Sequence, residues 1–313
     1  VKLKIGTRGS KLALWQTNHF KAQLEAAHPG LECEVVVIKT RGDAIQDRPL
    51  SEVGGKGLFV KELEEALLDG RADLAVHSMK DMPSVLPEGL VLGCVPERVD
   101  PRDAWVRPEG APPLTVDELP EGATVGTSSL RRGAQLLARR PDLNIIPLRG
   151  NVETRLRKLD EGVDGLQAIV LACAGLERLG LQARITEALP VDVMLPAVGQ
   201  GALAIENREA DPVVGPILAA LHNPATAAAT RAERSFLAEI EGSCKVPVAG
   251  HATLEGDEVT LTALVGAVSG APIVTASASA PSADAEALGI DVARMVLESG
   301  GREILDDLFA EEP

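Results

Sequence analysis

The 313-residue chain has no run approaching the roughly 18 apolar residues of a membrane span. It also has no CxxC pair and no Cys/His cluster at metal-ligand spacing. The four cysteines, Cys33, Cys94, Cys173 and Cys244, stand far apart, which argues against a zinc site and a disulfide framework. A reducing cytoplasm is the compartment expected from that. Nucleotide-binding signatures are missing too. Gly57 follows Lys56 where a P-loop requires Ser or Thr, and no Rossmann fingerprint is present. Basic residues are in deficit, with 31 Lys and Arg against 46 Asp and Glu and a formal charge of −15. That excludes nucleic-acid binding through a general basic surface. The opening Val1-Lys2-Leu3-Lys4-Ile5 reads as a strand rather than a signal peptide.

What is present is an ordinary globular composition, 45% hydrophobic and 25% charged, on a chain long enough for two or three domains. Residues 1–5, 31–39, 72–78 and 90–95 read as strands, alternating with helices from Lys11 and over 58–68. Leu12, Trp15, Phe20 and Leu24 form the apolar face expected of the first helix. Repeated β-α-β predicts a parallel sheet with helices on both faces. Asp100-Pro101-Arg102-Asp103 breaks the pattern and marks a crossing. A second series follows, with strands at 124–126, 143–148 and 166–172. Residues 195–201 read as a return crossing, and 202–206 as a short strand rejoining the first lobe. Asn223-Pro224 opens a long helix with proline in its first turn. After it the pattern changes to strands at 249–254, 258–265 and 273–278, closed by a helix over 283–298. The expected fold is α/β, with two lobes around a cleft (1–99 with 200–219, and 100–199) and a small C-terminal α+β domain at 220–313 with a three-stranded antiparallel sheet.

Although the protein is acidic, many of its cations fall at strand-to-helix junctions, where the free N–H groups of a helix start favour anions. Gly6-Thr7-Arg8-Gly9-Ser10 is one such loop; Ser10 either caps the helix or binds an anion, or does both. Thr127-Ser128-Ser129 followed by Leu130-Arg131-Arg132 is a denser one, and Arg149-Gly150-Asn151 with Arg155 is a third. Arg178 lies just beyond the strand at 166–172. Together they suggest a small polyanion held in a cleft, although any single arginine here could be solvated surface. Lys80-Asp81, with Ser78 two residues earlier, sits at the carboxyl end of a strand, where α/β sheets bind ligands; the alternative is a surface ion pair in a turn. Lys56 and Phe59 belong to a glycine-rich stretch that reads as a lid. Cys244 is flanked by Lys245, a cation that favours thiolate.

These motifs resemble the hydroxymethylbilane synthase (porphobilinogen deaminase) family across essentially the whole chain. The matching segments are Ile5 to Ser10 with Leu12 to Gln16; Val53 to Phe59; Val76 to Asp81; Gly126 to Arg132; Leu148 to Asn151; and Gly242 to Pro247. The resemblance implies two lobes similar to type II periplasmic binding proteins, joined by a double crossing. It implies a dipyrromethane cofactor held through a thioether on Cys244, and four porphobilinogens condensed head to tail with loss of ammonia. Asp81 would then stabilise the cation left by ammonia and move protons. Arg8, Ser10, Lys80, Thr127, Ser128, Ser129, Arg131, Arg132, Arg149, Gly150, Arg155 and Arg178 would hold carboxylates, for which an arginine fork is suited. Gln16, Ser78 and Gln200 are further polar contacts. A monomer is expected, with no metal, nucleic acid or membrane partner. Ser243 and Met82 depart from the family's usual glycine and valine without removing a reacting group. A non-catalytic solute-binding protein for a polycarboxylate is the rival reading, because fold alone does not separate the two.

Overall fold

The computed structural model describes residues 1–40, 59–240 and 246–310. Lys56, Cys244 and the glycine-rich stretch at 54–57 lie outside the described residues.

The first sheet begins with β1 (Lys2–Thr7) and β2 (Glu32–Val37), paired in parallel. Between them runs helix α1 (Lys11–Ala27). Ser10, extended at the N-cap, accepts the Ala13 N–H at 3.2 Å and starts that helix. Phe20 and Leu24 are fully buried beneath the sheet, as their helical spacing predicts. Trp15 is not: it is 38% exposed and stacks on His19 at 4.8 Å. An aromatic partner one turn away on its own helix gives that ring cover without burial.

β3 (Leu74–Ser78) joins β1 in parallel, and β4 (Leu90–Cys94) lies at the edge. Between them inserts β10 (Leu203–Arg208), antiparallel to both, so the order is β2-β1-β3-β10-β4. The second sheet repeats the plan with order β7-β6-β8-β5-β9. Here β6 (Thr124–Gly126) is parallel to β7 (Asn144–Ile146) and β8 (Leu166–Ala172). β5 (Asp103–Val106) is antiparallel to β8 and to the short β9 (Glu187–Ala188). The purely parallel sheets expected from β-α-β repetition are therefore mixed. The physical reason is the double crossing: a strand arriving from the other lobe enters at the opposite end and runs against its neighbours. Two mixed sheets of this order joined by a double crossing are the two α/β lobes expected from the sequence.

β5 also corrects the reading of 100–103 as a pure interruption. Asp103, Ala104, Trp105 and Val106 are all fully buried. Four residues between Asp-Pro and Arg-Pro punctuation are too few to show a period.

The crossings touch each other. Gln200 donates to the Pro101 carbonyl at 2.7 Å. Gly201 has φ +88°, and a Cβ there would meet the Val99 carbonyl at 2.6 Å, so the return strand closes only through glycine.

The C-terminal sheet is the antiparallel meander β11 (Val248–Glu255), β12 (Glu258–Gly266) and β13 (Ile273–Pro281). Val259, Leu261, Ala263 and Val265 alternate inward on β12. Helices Pro224–Glu239 and Ala285–Val296 cover that face, with Phe236 and Val292 fully buried. The chain goes on past the expected last helix. After Gly300 (φ +109°) a further helix, Arg302–Ala310, packs Ile304 and Leu305 into the same core.

Candidate active site

β3 ends at Ser78, and its backbone coils into one 3-10 turn, Met79–Asp81. Met79 and Met82 are buried on either side of that turn, and the Met79 N–H is held by the Ala202 carbonyl at 3.1 Å. The turn is thus pinned by two apolar anchors, and Lys80 and Asp81 are left exposed between them. Among the described residues no hydrogen bond or ion pair engages the Asp81 carboxylate. Behind the turn, Gln16 donates to the Ser78 hydroxyl at 2.9 Å. Both line a small cavity of about 30 Å³ with Lys80, Arg178 and Gln200.

Lys80 reaches cleft solvent, yet the protein around it displaces much of its water. Burial pushes its pKa down to about 8, and Arg132 and Arg131 act in the same direction while Asp81 and Asp103 oppose. The two lobes therefore share one electrostatic field at this point.

In the second lobe the three hydroxyls shape the turn into helix Leu130–Arg139. Thr127 Oγ1 accepts the Ser129 N–H at 3.1 Å, Ser129 caps the helix through the Arg132 N–H, and the Ser128 hydroxyl donates to the Leu148 carbonyl at 3.0 Å. Arg131 and Arg132 are less free than the sequence suggests. Arg131 Nη1 donates to Asp103 Oδ2 at 2.6 Å and to the Leu195 carbonyl at 2.7 Å. Arg132 Nε and Nη2 donate to Asp103 Oδ1 at 2.9 and 2.7 Å. Arg131 Nη2 reaches the same oxygen at 3.1 Å, and Gln200 adds a fourth donor at 3.0 Å. Burial alone would raise the Asp103 carboxyl, but the two guanidiniums overcome it and hold the group well below the usual carboxylate range. A protein carboxylate thus stands where the sequence reading placed only ligand. Asp103 and the altered role of Gln200 were missed because nothing local marks a pairing across about 30 or 100 residues of chain.

Arg149 and Arg155 differ. Among the described residues neither has a carboxylate partner. Arg155 Nε donates to the Gly150 carbonyl at 2.8 Å, with Gly150 at φ +116°. Burial, then Arg132 and Arg149, push Arg155 down to about 10. Arg149 Nη1 is buried with no hydrogen-bond partner. These cations crowd one another without a counterion, as a site for a polycarboxylate requires.

Arg178 is buried, donates to the Gly201 carbonyl at 2.8 Å, and is pushed by desolvation down to about 10. Arg8 lies 4.0 Å over the Phe59 ring, a cation–π contact. Cys33, Cys94 and Cys173 are buried, and burial raises all three thiols, Cys94 and Cys173 to about 12, which disfavours the reactive thiolate.

The network continues into the C-terminal domain. Arg98 Nη1 lies 2.6 Å from Glu233 Oε1, and Arg98 Nε donates to the Gln200 carbonyl at 2.8 Å. Glu233 also accepts the Gly199 and Ala252 N–H groups at 2.7 and 2.8 Å.

Two family models match the chain. "Porphobilinogen deaminase, dipyromethane cofactor binding domain" matches residues 3–215, and "Porphobilinogen deaminase, C-terminal domain" matches 227–298. A porphobilinogen deaminase of Syntrophotalea carbinolica is 56% identical over 97% of this chain and 95% of its own length. One of Geobacter sulfurreducens is 53% identical over 99% and 96%. Among solved structures, the methionine binding protein MetQ is 15% identical with a TM-score of 0.40, covering 70% of this chain and 89% of its own.

Proposed function

The chain belongs to the porphobilinogen deaminase family, and on that premise we propose how its residues divide the work. The enzyme is a hydroxymethylbilane synthase, a transferase that joins four porphobilinogens head to tail with loss of ammonia and releases the linear tetrapyrrole by hydrolysis. Its cofactor is dipyrromethane, which when bound supplies the pyrrole carbon that the first substrate joins. The residues present fit that group. Among the described residues Arg149 carries a buried nitrogen without a hydrogen-bond partner, and Arg155 stands close to Arg149 and Arg132 with no carboxylate partner of its own.

Arg149 and Arg155, with the exposed Ser128 and with Arg131 and Arg132 buried behind it, take the acetate and propionate groups. Lys80 takes one from the opposite lobe. Asp81 faces the pyrrole nitrogens, stabilises the substrate cation left by ammonia, and carries the proton to the leaving amine. Arg8 and Phe59 cover the same cleft. Cys244, outside the described residues, is the tether. The observation that carries this reading is the contrast between Arg149 and Arg155, crowded and without a carboxylate among the described residues, and an Asp81 carboxylate that none of the described residues engages, reached by the same field through Lys80. A passive carboxylate-binding protein would need the arginines but gains nothing from a free aspartate beside them.

Asp81→Asn keeps shape and removes charge. Single-turnover condensation should slow by about 100- to 1000-fold while intact mass still reports the two-pyrrole adduct. An unchanged rate would remove Asp81 from the chemistry. Cys244→Ser should lose the adduct. We also propose the lobe boundaries 1–99 with 200–219, 100–199 and 220–313, a monomer, and a cytoplasmic location. Sedimentation of the holoenzyme tests the second of these.

A further inference from the structure

The cleft is not the only space in the molecule. A cavity of about 480 Å³ lies between the first lobe and the C-terminal domain, within the range of small-molecule sites. One face of helix Pro224–Glu239 forms a wall, presenting Ala227, Arg231, Arg234 and Ala238 at spacings of three and four. Met79, Leu92 and Val95 of the first lobe supply an apolar wall, and Ile290 closes the far side.

The wall carries two arginines, Arg231 and Arg234, and two carboxylates, Glu239 and Glu286. Among the described residues neither Arg231 nor Arg234 has an ion pair. Among the described residues Arg234 donates to the Pro83 and Ser84 carbonyls, at 2.8 and 3.1 Å, and burial pushes its pKa down while Glu206 opposes. Glu239 is drawn toward Arg294 at 3.7 Å, which leaves the exposed Glu286 as the one uncommitted carboxylate on the wall. Two guanidiniums with no ion pair among the described residues, set beside an apolar surface, suit a small carboxylate with an apolar body.

The place is as informative as the chemistry. Arg234 grips residues 83 and 84, two and three positions after Asp81, and Met79 on the wall directly precedes Lys80. We propose that this cavity is an effector site for a small apolar monocarboxylate, whose binding draws Arg234 away from the Pro83 and Ser84 carbonyls and loosens the turn bearing Lys80 and Asp81. Turnover falls when the site is filled, and by linkage whatever tightens the turn weakens the carboxylate.

The holoenzyme, labelled at its methionine methyls, is titrated with 3-(4-fluorophenyl)propionate and separately with the neutral amide. Saturable shifts at the Met79 methyl, with Met194 in the second lobe unmoved, should accompany a fall in kcat of at least about twofold, and the amide should bind at least about tenfold more weakly. Ala238→Trp, which fills the cavity without touching the cleft, should abolish both responses. Arg231→Gln should weaken binding of the acid but not of the amide. The proposal is overturned by equal binding of acid and amide, by binding that survives Ala238→Trp, by no Met79 shift at millimolar acid, or by saturation with kcat unchanged. Binding is read without turnover, so a failure of the roles given to Asp81 and Cys244 leaves it readable.

Discussion

Asp103 Oδ1 accepts two hydrogen bonds from Arg132, at 2.9 Å from Nε and 2.7 Å from Nη2, with both side chains buried. Arg131 holds the other carboxylate oxygen through Nη1 and also reaches Oδ1 through Nη2 at 3.1 Å. One buried anion thus orients two guanidiniums at the floor of the cleft and cancels one of their two charges. Asp103→Asn keeps the shape and leaves an uncompensated cation pair in the interior. It should cost about 3–5 kcal/mol, read from the denaturant midpoint of the second lobe. The carboxyl is held below its ordinary value, so its contribution is intact above about pH 4 and is lost as pH falls further. A cost under about 1 kcal/mol would mean that water reaches the arginines.

Lys80 titrates near pH 8 because burial and two arginines disfavour its charge. In the apoprotein, lysine-selective NMR should find one group at that value, and loading with cofactor carboxylates should raise it. Loading then takes up a proton at alkaline pH, so affinity declines as pH rises above about 8. Lys80→Arg should flatten that decline, since a guanidinium stays charged. Between the depressed folded value and the ordinary 10.5 the unfolded chain binds the extra proton, so Lys80's own contribution to stability rises with pH across that window.

Arg155 is held among like charges, which oppose its protonation. Arg155→Gln relieves that repulsion while removing a carboxylate donor. The apoprotein should melt within about 1 kcal/mol of wild type or above it, while cofactor loading falls at least about tenfold, an exchange of stability for function. A variant that loses stability but loads normally would make Arg155 a structural residue.

Glu233 is buried beneath both crossings and holds Arg98, the Gly199 N–H and the Ala252 N–H at once. Burial would raise its carboxyl, but Arg98 and His251 overcome this and keep it below the ordinary value. Glu233→Gln should cost about 3 kcal/mol, because Arg98 loses its only carboxylate among the described residues. Scattering should then show the C-terminal domain sampling a wider range of positions, since the lost contacts tie it to the crossings.

How much of this was legible beforehand depends on the range of the signal. Ser10 capping α1 and the hydroxyl-rich turn before Arg131 are each written in a few adjacent residues, so turn chemistry and helical spacing reveal them. Trp15 misled because its apolar character fits the buried face of a helix, while stacking on His19 gives it a partner at the surface.

By itself the sequence determined the succession of elements, the place of Lys80 and Asp81 at a strand end, and the cationic loops that a polycarboxylate needs. Those follow from periods of two and 3.6 and from local backbone preference. Only the tertiary structure decided that the sheets of both lobes carry antiparallel strands, that β5 is buried, and that Arg131 and Arg132 share Asp103 while Arg149 and Arg155 have no carboxylate among the described residues. These outcomes depend on which distant segments meet at the crossings. A charge reads the same in sequence whether its counterion comes from the protein or from the ligand.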